Sequence, residues 1–346
     1  MDCDDVKCFI VEWGMTQTLD VPFATLSPDL ILDAIDRLGI QTDGRLLALN
    51  SYENRVYQVG VSDSAPIVAK FYRPHRWTDA QILEEHAFVQ SLADAEIPVV
   101  PAISIANRSL FKYQDFRFSL FLKHGGRAPE LDRKGVLEWI GRFIGRIHSV
   151  GAMHLFQHRP QLDIASFGEA PSQYLLGSKF IPSELREVYR GVVAQALDGV
   201  RRCYERAGDI DLIRLHGDCH MGNLLWTDDG PHFVDFDDSR TGPAIQDLWM
   251  MLSGTSEEIK QQLNEILLGY EDFFEFNPQE LHLIEALRTL RLIHYSAWIA
   301  ARWDDPAFKM AFTWFNTQQY WQDRILELRE QIAAMDEPPL MASGNY

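Results

Sequence analysis

Four residues in one stretch of the sequence carry its strongest chemical signal: His216, Asp218, Asn223 and Asp235. The first three lie in Leu215-His216-Gly217-Asp218-Cys219-His220-Met221-Gly222-Asn223, a polar loop that runs into the apolar Leu224-Leu225-Trp226. A carboxylate placed like Asp218 can accept the proton of an attacking hydroxyl. Asn223, five positions on, offers an amide oxygen. The turn residues Asp228-Asp229-Gly230 then return the chain through Phe233-Val234 to Asp235, and a hairpin of this kind places Asp235 beside Asn223. Together they give hard oxygen donors of the sort Mg2+ prefers, with phosphate oxygens completing the shell. One aspartate in a turn would carry no such meaning, but four constrained elements in this order do. His216 and His220 read as braces for the loop, and Cys219 as pointing inward.

Chemistry on phosphates also needs a cation. Lys70 lies inside Ile67-Val68-Ala69-Lys70-Phe71-Tyr72, an apolar strand pattern in which a charge is costly unless paired. Glu84 and Glu85 follow about fifteen residues later on a helical stretch. Either can reach Lys70, and Glu85 is the preferred partner. Upstream, Asn50-Ser51-Tyr52-Glu53-Asn54-Arg55 occupies the place of a phosphate-covering loop without any glycine-rich pattern. Ser51 can donate its hydroxyl or backbone N–H to a phosphate, and Asn54 can shape the turn.

The elements that must hold these residues change character near Lys123. Before it, short aromatic and β-branched runs at 55–61, 67–72 and 116–122 read as strands. Two helices interrupt them: 28–38, with Ser27 as N-cap and Pro28 at the first position, and 78–95, capped by Thr78. After His124-Gly125-Gly126 the pattern is mainly helical, with helices expected over 136–150, 184–207, 279–303 and 314–335. The expected fold is α+β and bilobal, with a β-rich N-lobe (24–123) and a larger, mainly helical C-lobe (124–335). An N-terminal extension (1–23) and a C-terminal tail (336–346) flank them. A cleft between two such lobes is a natural ligand site. Trp298, Trp303, Trp314, Trp321, Tyr295 and Tyr320 fall on the late helices, where such residues are more often core than a cage for a cation.

The chain has 346 residues and a formal charge of −18, which disfavours nonspecific binding to nucleic acid or anionic lipid. No apolar run is long enough to span a membrane, and no basic, then apolar, leader opens the sequence. Its four cysteines form no Cys-x-x-Cys pair, in keeping with reduced thiols in a cytoplasm.

The spacing His216-x-Asp218-x-x-x-x-Asn223 matches the catalytic loop of kinases, and Lys70 sits in the pattern of their third-strand lysine. With Asp235-Phe236-Asp237 and the helix Gly141-Arg142-Phe143-Ile144-Gly145-Arg146-Ile147-His148, the chain resembles the aminoglycoside phosphotransferase and choline kinase-like superfamily. It is more similar still to the bacterial stress response kinase A family, described as serine/threonine protein kinases. Leu49 to Tyr57, Lys70-Phe71-Tyr72-Arg73-Pro74, Arg214 to His220 and Ile245-Gln246-Asp247-Leu248-Trp249-Met250 carry that likeness.

The resemblance implies a kinase-like fold and transfer of the ATP γ-phosphate to a hydroxyl. Asp218 is its proton acceptor and Asp235 the second catalytic residue. Asn223 and Asp235 are its magnesium ligands, and Ser51 touches ATP; Lys70, Glu85 and Asn54 stand beside them as nucleotide-binding candidates on the reading of the residues themselves. It further implies a cytoplasmic monomer, while the acidic charge and the lack of an apolar span argue against nucleic-acid and membrane partners. Two departures from typical protein kinases bear on the acceptor. The metal motif is Asp-Phe-Asp, and only about eight residues separate Asp235 from the next helix, near Pro243, which leaves no long activation loop. The acceptor is therefore a protein Ser or Thr, on the resemblance, or a small amino alcohol or aminoglycoside. A catalytically dead nucleotide-binding protein is the third class, opposed by the intact Asp218, Asn223 and Asp235.

Overall fold

The structure is a computed structural model of the chain. It describes residues 21–131, 133–228 and 230–340. The expectations for the cysteines Cys3 and Cys8 and most of the N-terminal extension, for Asp229, and for residues 341–346 of the C-terminal tail fall outside the described residues. Those described divide into two units: one holds those of Ile10–Pro129 and Gly222–Asp237, the other those of Glu130–Met221 and Asp238–Tyr346. The division thus falls after Pro129 rather than after Lys123, and the segment carrying Asn223 and Asp235 groups with the β-rich unit.

The first unit begins with α1 (Pro28–Asp36), whose Ser27 side chain accepts the Leu30 N–H as N-cap. Strands β1 (Thr42–Ala48), β2 (Arg55–Val61) and β3 (Ile67–Phe71) follow, then α2 (Asp79–Asp94), β4 (Phe111–Tyr113) and β5 (Phe116–Leu122). The five strands form one antiparallel sheet in the order β1-β2-β3-β5-β4. Strand alternation sends Ile67, Ala69 and Phe71 into a core with Ile31, Ile35, Val59, Phe118 and Leu120. Each large apolar side chain buried there contributes about 1.5–3 kcal/mol. The same alternation turns Lys70 and Tyr72 to the opposite face, where the Tyr72 hydroxyl lies 2.8 Å from Nε2 of His86 on α2. α2 opens with a reciprocal capping box between Thr78 and Gln81. After the second unit's first elements, β7 (Leu224–Thr227) and β8 (Gly230–Phe233) form the expected hairpin. It is fastened to this unit by a parallel bridge from Phe233 to Val99, a bridge from Trp226 to Arg127, and an edge contact of Phe236 with Phe88.

In the other unit, α3 (Val136–Gly151) packs on α7 (Ser256–Tyr270). The approach is close enough that a Cβ on Gly141 would lie 2.0 Å from the Ile266 carbonyl oxygen. The rest comprises α4 (Ala170–Gly177), α5 (Ser183–Ala207), the paired short strands β6 (Ile213–Leu215) and β9 (Arg240–Gly242), α6 (Ile245–Trp249), α8 (Ile284–Ala301), α9 (Pro306–Ala311) and α10 (Gln318–Asp336).

Two helix starts differ from the sequence expectation. The segment expected to open α8 at 279 is a 3-10 turn over Pro278–Leu283, initiated by the Asn277 side chain. α10 begins at Gln318 because Thr317 is its N-cap, so Trp314 stays outside it. Trp321 and Tyr320 are buried, Tyr295, Trp298 and Trp303 are half-buried and Trp314 is exposed, so only part of the aromatic set is core. Among the described residues no helix is long and apolar enough to cross a membrane.

Candidate active site

Lys70 is the centre of the constellation in the β-rich unit. It faces Val56 on one neighbouring strand and Ser119 on the other, so its backbone is fixed on both sides. Its Nζ lies 2.9 Å from Asp235 Oδ1 and 3.2 Å from Asp237 Oδ1. Burial works to discharge this ammonium. Asp235, then Asp237 and Glu85, outweigh it and hold Lys70 charged far beyond its usual range. The direct partners are thus the two aspartates of Asp-Phe-Asp. Glu85, buried on α2, adds a third carboxylate to the same field. Glu84 is only half-buried.

Asp235 leaves β8 with φ +61°, a left-handed conformation that aspartate tolerates better than most residues. This turn takes it off the strand's course. Its side chain is 57% exposed, whereas that of Asp237 is 4% exposed. The Val234 N–H donates to the Asn223 carbonyl (3.0 Å), so the backbone next to Asp235 is locked to Asn223 across the base of the hairpin. The donor chemistry fits a hard divalent cation: a carboxylate and an amide oxygen, without thiolate or imidazole. Among the described residues no group of three or more His, Cys, Asp or Glu could hold a metal by itself.

The loop before β2 is shaped by side chains. The Ser51 hydroxyl donates to the Asn54 carbonyl (3.1 Å). Asn54 is buried; its Nδ2 donates to Asp237 Oδ2 (3.1 Å), and its Oδ1 accepts the Arg73 N–H (3.1 Å). Arg73 pairs with Glu53 at 2.9 Å, and Arg76 bonds Asp237. Arg73, Arg76 and Glu53 were not singled out from the sequence. The signal was the charge density of Arg73-Pro74-His75-Arg76 straight after a strand that already carries Lys70.

In the helical unit, the loop bearing Asp218 hangs on Asp247. The Asp247 carboxylate accepts the N–H of His216 (2.7 Å) and of Gly217 (2.9 Å). His148 Nε2 lies 3.2 Å from the same carboxylate, and its Nδ1 lies 2.7 Å from the Tyr270 hydroxyl. The His148 of α3 is therefore a buried strut for the loop. Gly217 is demanded twice, by φ +85° and by the Asp238 carbonyl oxygen 2.2 Å from where its Cβ would stand. His216 is buried, and its Nδ1 accepts the Asp218 N–H (3.3 Å). Both expectations of bracing by His216 and inward placement of Cys219 match their burial.

Asp218 itself is gripped at both oxygens. Arg291 of α8 reaches Oδ1 at 3.0 Å, and His220 Nε2 lies 3.3 Å from Oδ2. Burial works to raise its pKa. The His220 hydrogen bond and the Arg291 charge outweigh that and hold the carboxyl well below the usual carboxylate range. Asp218 is thus an anion at neutral pH, able to orient a hydroxyl and receive its proton. Arg291 was missed in the sequence because nothing in a helical arginine distant along the chain marks its partner.

The phosphotransferase enzyme family model matches residues 45–284. A stress response kinase A of Escherichia coli O157:H7 is 43% identical over 324 residues, spanning 94% of this chain and 98% of its own. A protein of Salmonella typhimurium named serine/threonine protein kinase RdoA is 42% identical over the same coverage. Among solved structures, the amicoumacin kinase hAmiN in complex with AMP-PNP, Ca2+ and Ami superposes with a TM-score of 0.70. It covers 98% of both chains at 18% identity, a likeness of fold.

Proposed function

The chain belongs to the phosphotransferase enzyme family, in its stress response kinase A branch, and from that premise we propose that it is an ATP- and Mg2+-dependent serine/threonine protein kinase with Asp218 as catalytic base. That it is a kinase acting on a hydroxyl acceptor follows from the family; its nucleotide, metal, acceptor and residue roles are the proposal. The observation that carries it is the pairing of Lys70 with Asp235 and Asp237, a buried ammonium held ready beside an exposed carboxylate.

In this reading Lys70 contacts the ATP phosphates, with Glu85 adding to the field that keeps it charged. Ser51 and Asn54 shape the loop that covers them. Asn223 and Asp235 would hold the metal, which when bound neutralises phosphate charge. Asp218, kept ionised by Arg291 and His220, orients the acceptor hydroxyl and takes its proton. Most of the rate comes from positioning and charge neutralisation. The protein acceptor is supported by the relative named as a serine/threonine protein kinase at 42% identity. A monomer in the cytoplasm belongs to the same proposal.

The second reading is a small-molecule kinase. The short interval between Asp235 and α6, which starts at Ile245, favours it by leaving no long acceptor-docking segment, and a structural neighbour is named an amicoumacin kinase. The test is transfer of labelled γ-phosphate from Mg-ATP to a generic basic protein, to the enzyme itself, and to amino alcohols and aminoglycosides. Label on protein supports the proposal. Label confined to a small molecule replaces it with the second reading.

A further inference from the structure

The second aspartate of Asp-Phe-Asp behaves unlike the first. Asp237 presents 4% of its side chain to solvent against 57% for Asp235. Both of its oxygens lie against cationic groups of the same unit. Oδ1 takes Lys70 Nζ at 3.2 Å. Oδ2 takes Asn54 Nδ2 at 3.1 Å and the Arg76 guanidinium. These donors come from three separate segments: the β1–β2 loop, the middle of β3, and the connection after β3. Asn54 extends the link by accepting the Arg73 N–H, and Glu53 pairs with Arg73.

A glycine-rich loop would hold phosphates with its own backbone. This loop has no such run, and its shape comes from Asn54 and Glu53 anchored outside it. With Oδ2 bonded by a guanidinium and an amide and Oδ1 facing the Lys70 ammonium, a cation would have to compete with Lys70 at a side chain that is 4% exposed.

We propose that Asp237 is a positioning residue for the nucleotide, tying the β1–β2 loop and Lys70 to the strand end that carries Asp235, and that it is not itself a metal ligand. The inference rests on the reading of Lys70 and Asp235 as the phosphate and metal site. It assigns the two aspartates separable tasks, Asp235 to the ion and Asp237 to the frame.

The test uses the full chain and two readouts. The first is affinity for AMP-PNP with Mg2+ and with EDTA, in wild type, Asp235→Asn and Asp237→Asn. Asp235→Asn is expected to lose only the Mg2+-dependent part of the affinity. Asp237→Asn is expected to weaken binding about tenfold or more by the same factor in both conditions, because an amide cannot hold two cations. The second readout needs no nucleotide: amide exchange of residues 50–55, expected to speed up in Asp237→Asn. Asn54→Ala cuts the loop tether while leaving the ion pairs, and should speed the same amides, which covers the case in which Asp237→Asn does not fold. A loss in Asp237→Asn confined to the Mg2+-dependent part would make Asp237 a ligand and overturn the proposal. Unchanged exchange of residues 50–55 in both loop-tether variants would overturn it as well. Wild-type protein that binds no AMP-PNP would instead overturn the functional reading, and the exchange readout would still decide the tether.

Discussion

Glu280 gives a sharp quantitative prediction. It is buried in the 3-10 turn before α8, and its Oε2 accepts the Ile245 N–H at 2.8 Å, at the start of α6. Two residues on, α6 carries Asp247, which holds the loop of Asp218. Burial pushes the Glu280 carboxyl up from 4.5 to about 7, and the nearby Asp211 adds to it. A carboxyl raised in the folded state favours folding fully below its unfolded value. That advantage is lost as pH rises through the folded value. At about 1.4 kcal/mol per pH unit, the interval between 4.5 and about 7 corresponds to roughly 3 kcal/mol. Glu280→Gln keeps the acceptor oxygen and removes the titration. Urea denaturation of both proteins at pH 5 and pH 8 is the assay. Because pH 5 already lies above 4.5, the stability of Glu280→Gln relative to wild type should rise by roughly 2.5 kcal/mol between the two pH values. A difference independent of pH would refute the reasoning.

Other consequences follow from the same geometry. Lys70→Met removes the ammonium between two carboxylates and should cost about 3 kcal/mol by urea denaturation, together with nucleotide affinity. Gly141→Ala forces a methyl against the Ile266 carbonyl and should destabilise by about 2 kcal/mol, read as a lower melting temperature. Arg291→Ala should let the Asp218 pKa rise. A depressed carboxyl lends stability above its unfolded value and loses it as pH falls, so the gap between wild type and variant should be open at pH 7 and close in acid unfolding curves.

Much of the fold was legible because local rules and tertiary packing agree. Ser27 and Thr78 announced their helices and both cap them. The β-branched and aromatic runs at 55–61 and 116–122 form strands over those residues. β1 was not located from the sequence, since Thr-Asp-Gly-Arg-Leu-Leu-Ala is largely exposed and lacks a buried alternation. In the candidate site, Asp218, Asn223, Asp235 and Lys70 stand out in the sequence by type and spacing. The partners do not. Glu85 was preferred for Lys70 by its place on the helix, and it contributes, but the ammonium sits directly between Asp235 and Asp237. That choice depends on where the hairpin lands. Arg291 and Asp247 are likewise fixed by packing of helices distant along the chain, which spacing alone does not encode.

The central claim is that Asp218 handles the acceptor proton while Asp235 serves the metal and phosphates. It is tested most directly by γ-phosphate transfer from Mg-ATP in wild type, Asp218→Asn and Asp235→Asn, with AMP-PNP affinity measured in parallel. The account predicts that Asp218→Asn loses transfer by a factor of about 100 or more while binding nucleotide as wild type does. Asp235→Asn should lose both transfer and the Mg2+-dependent part of binding. Full transfer by Asp218→Asn, or undiminished Mg2+-dependent binding by Asp235→Asn, would contradict it.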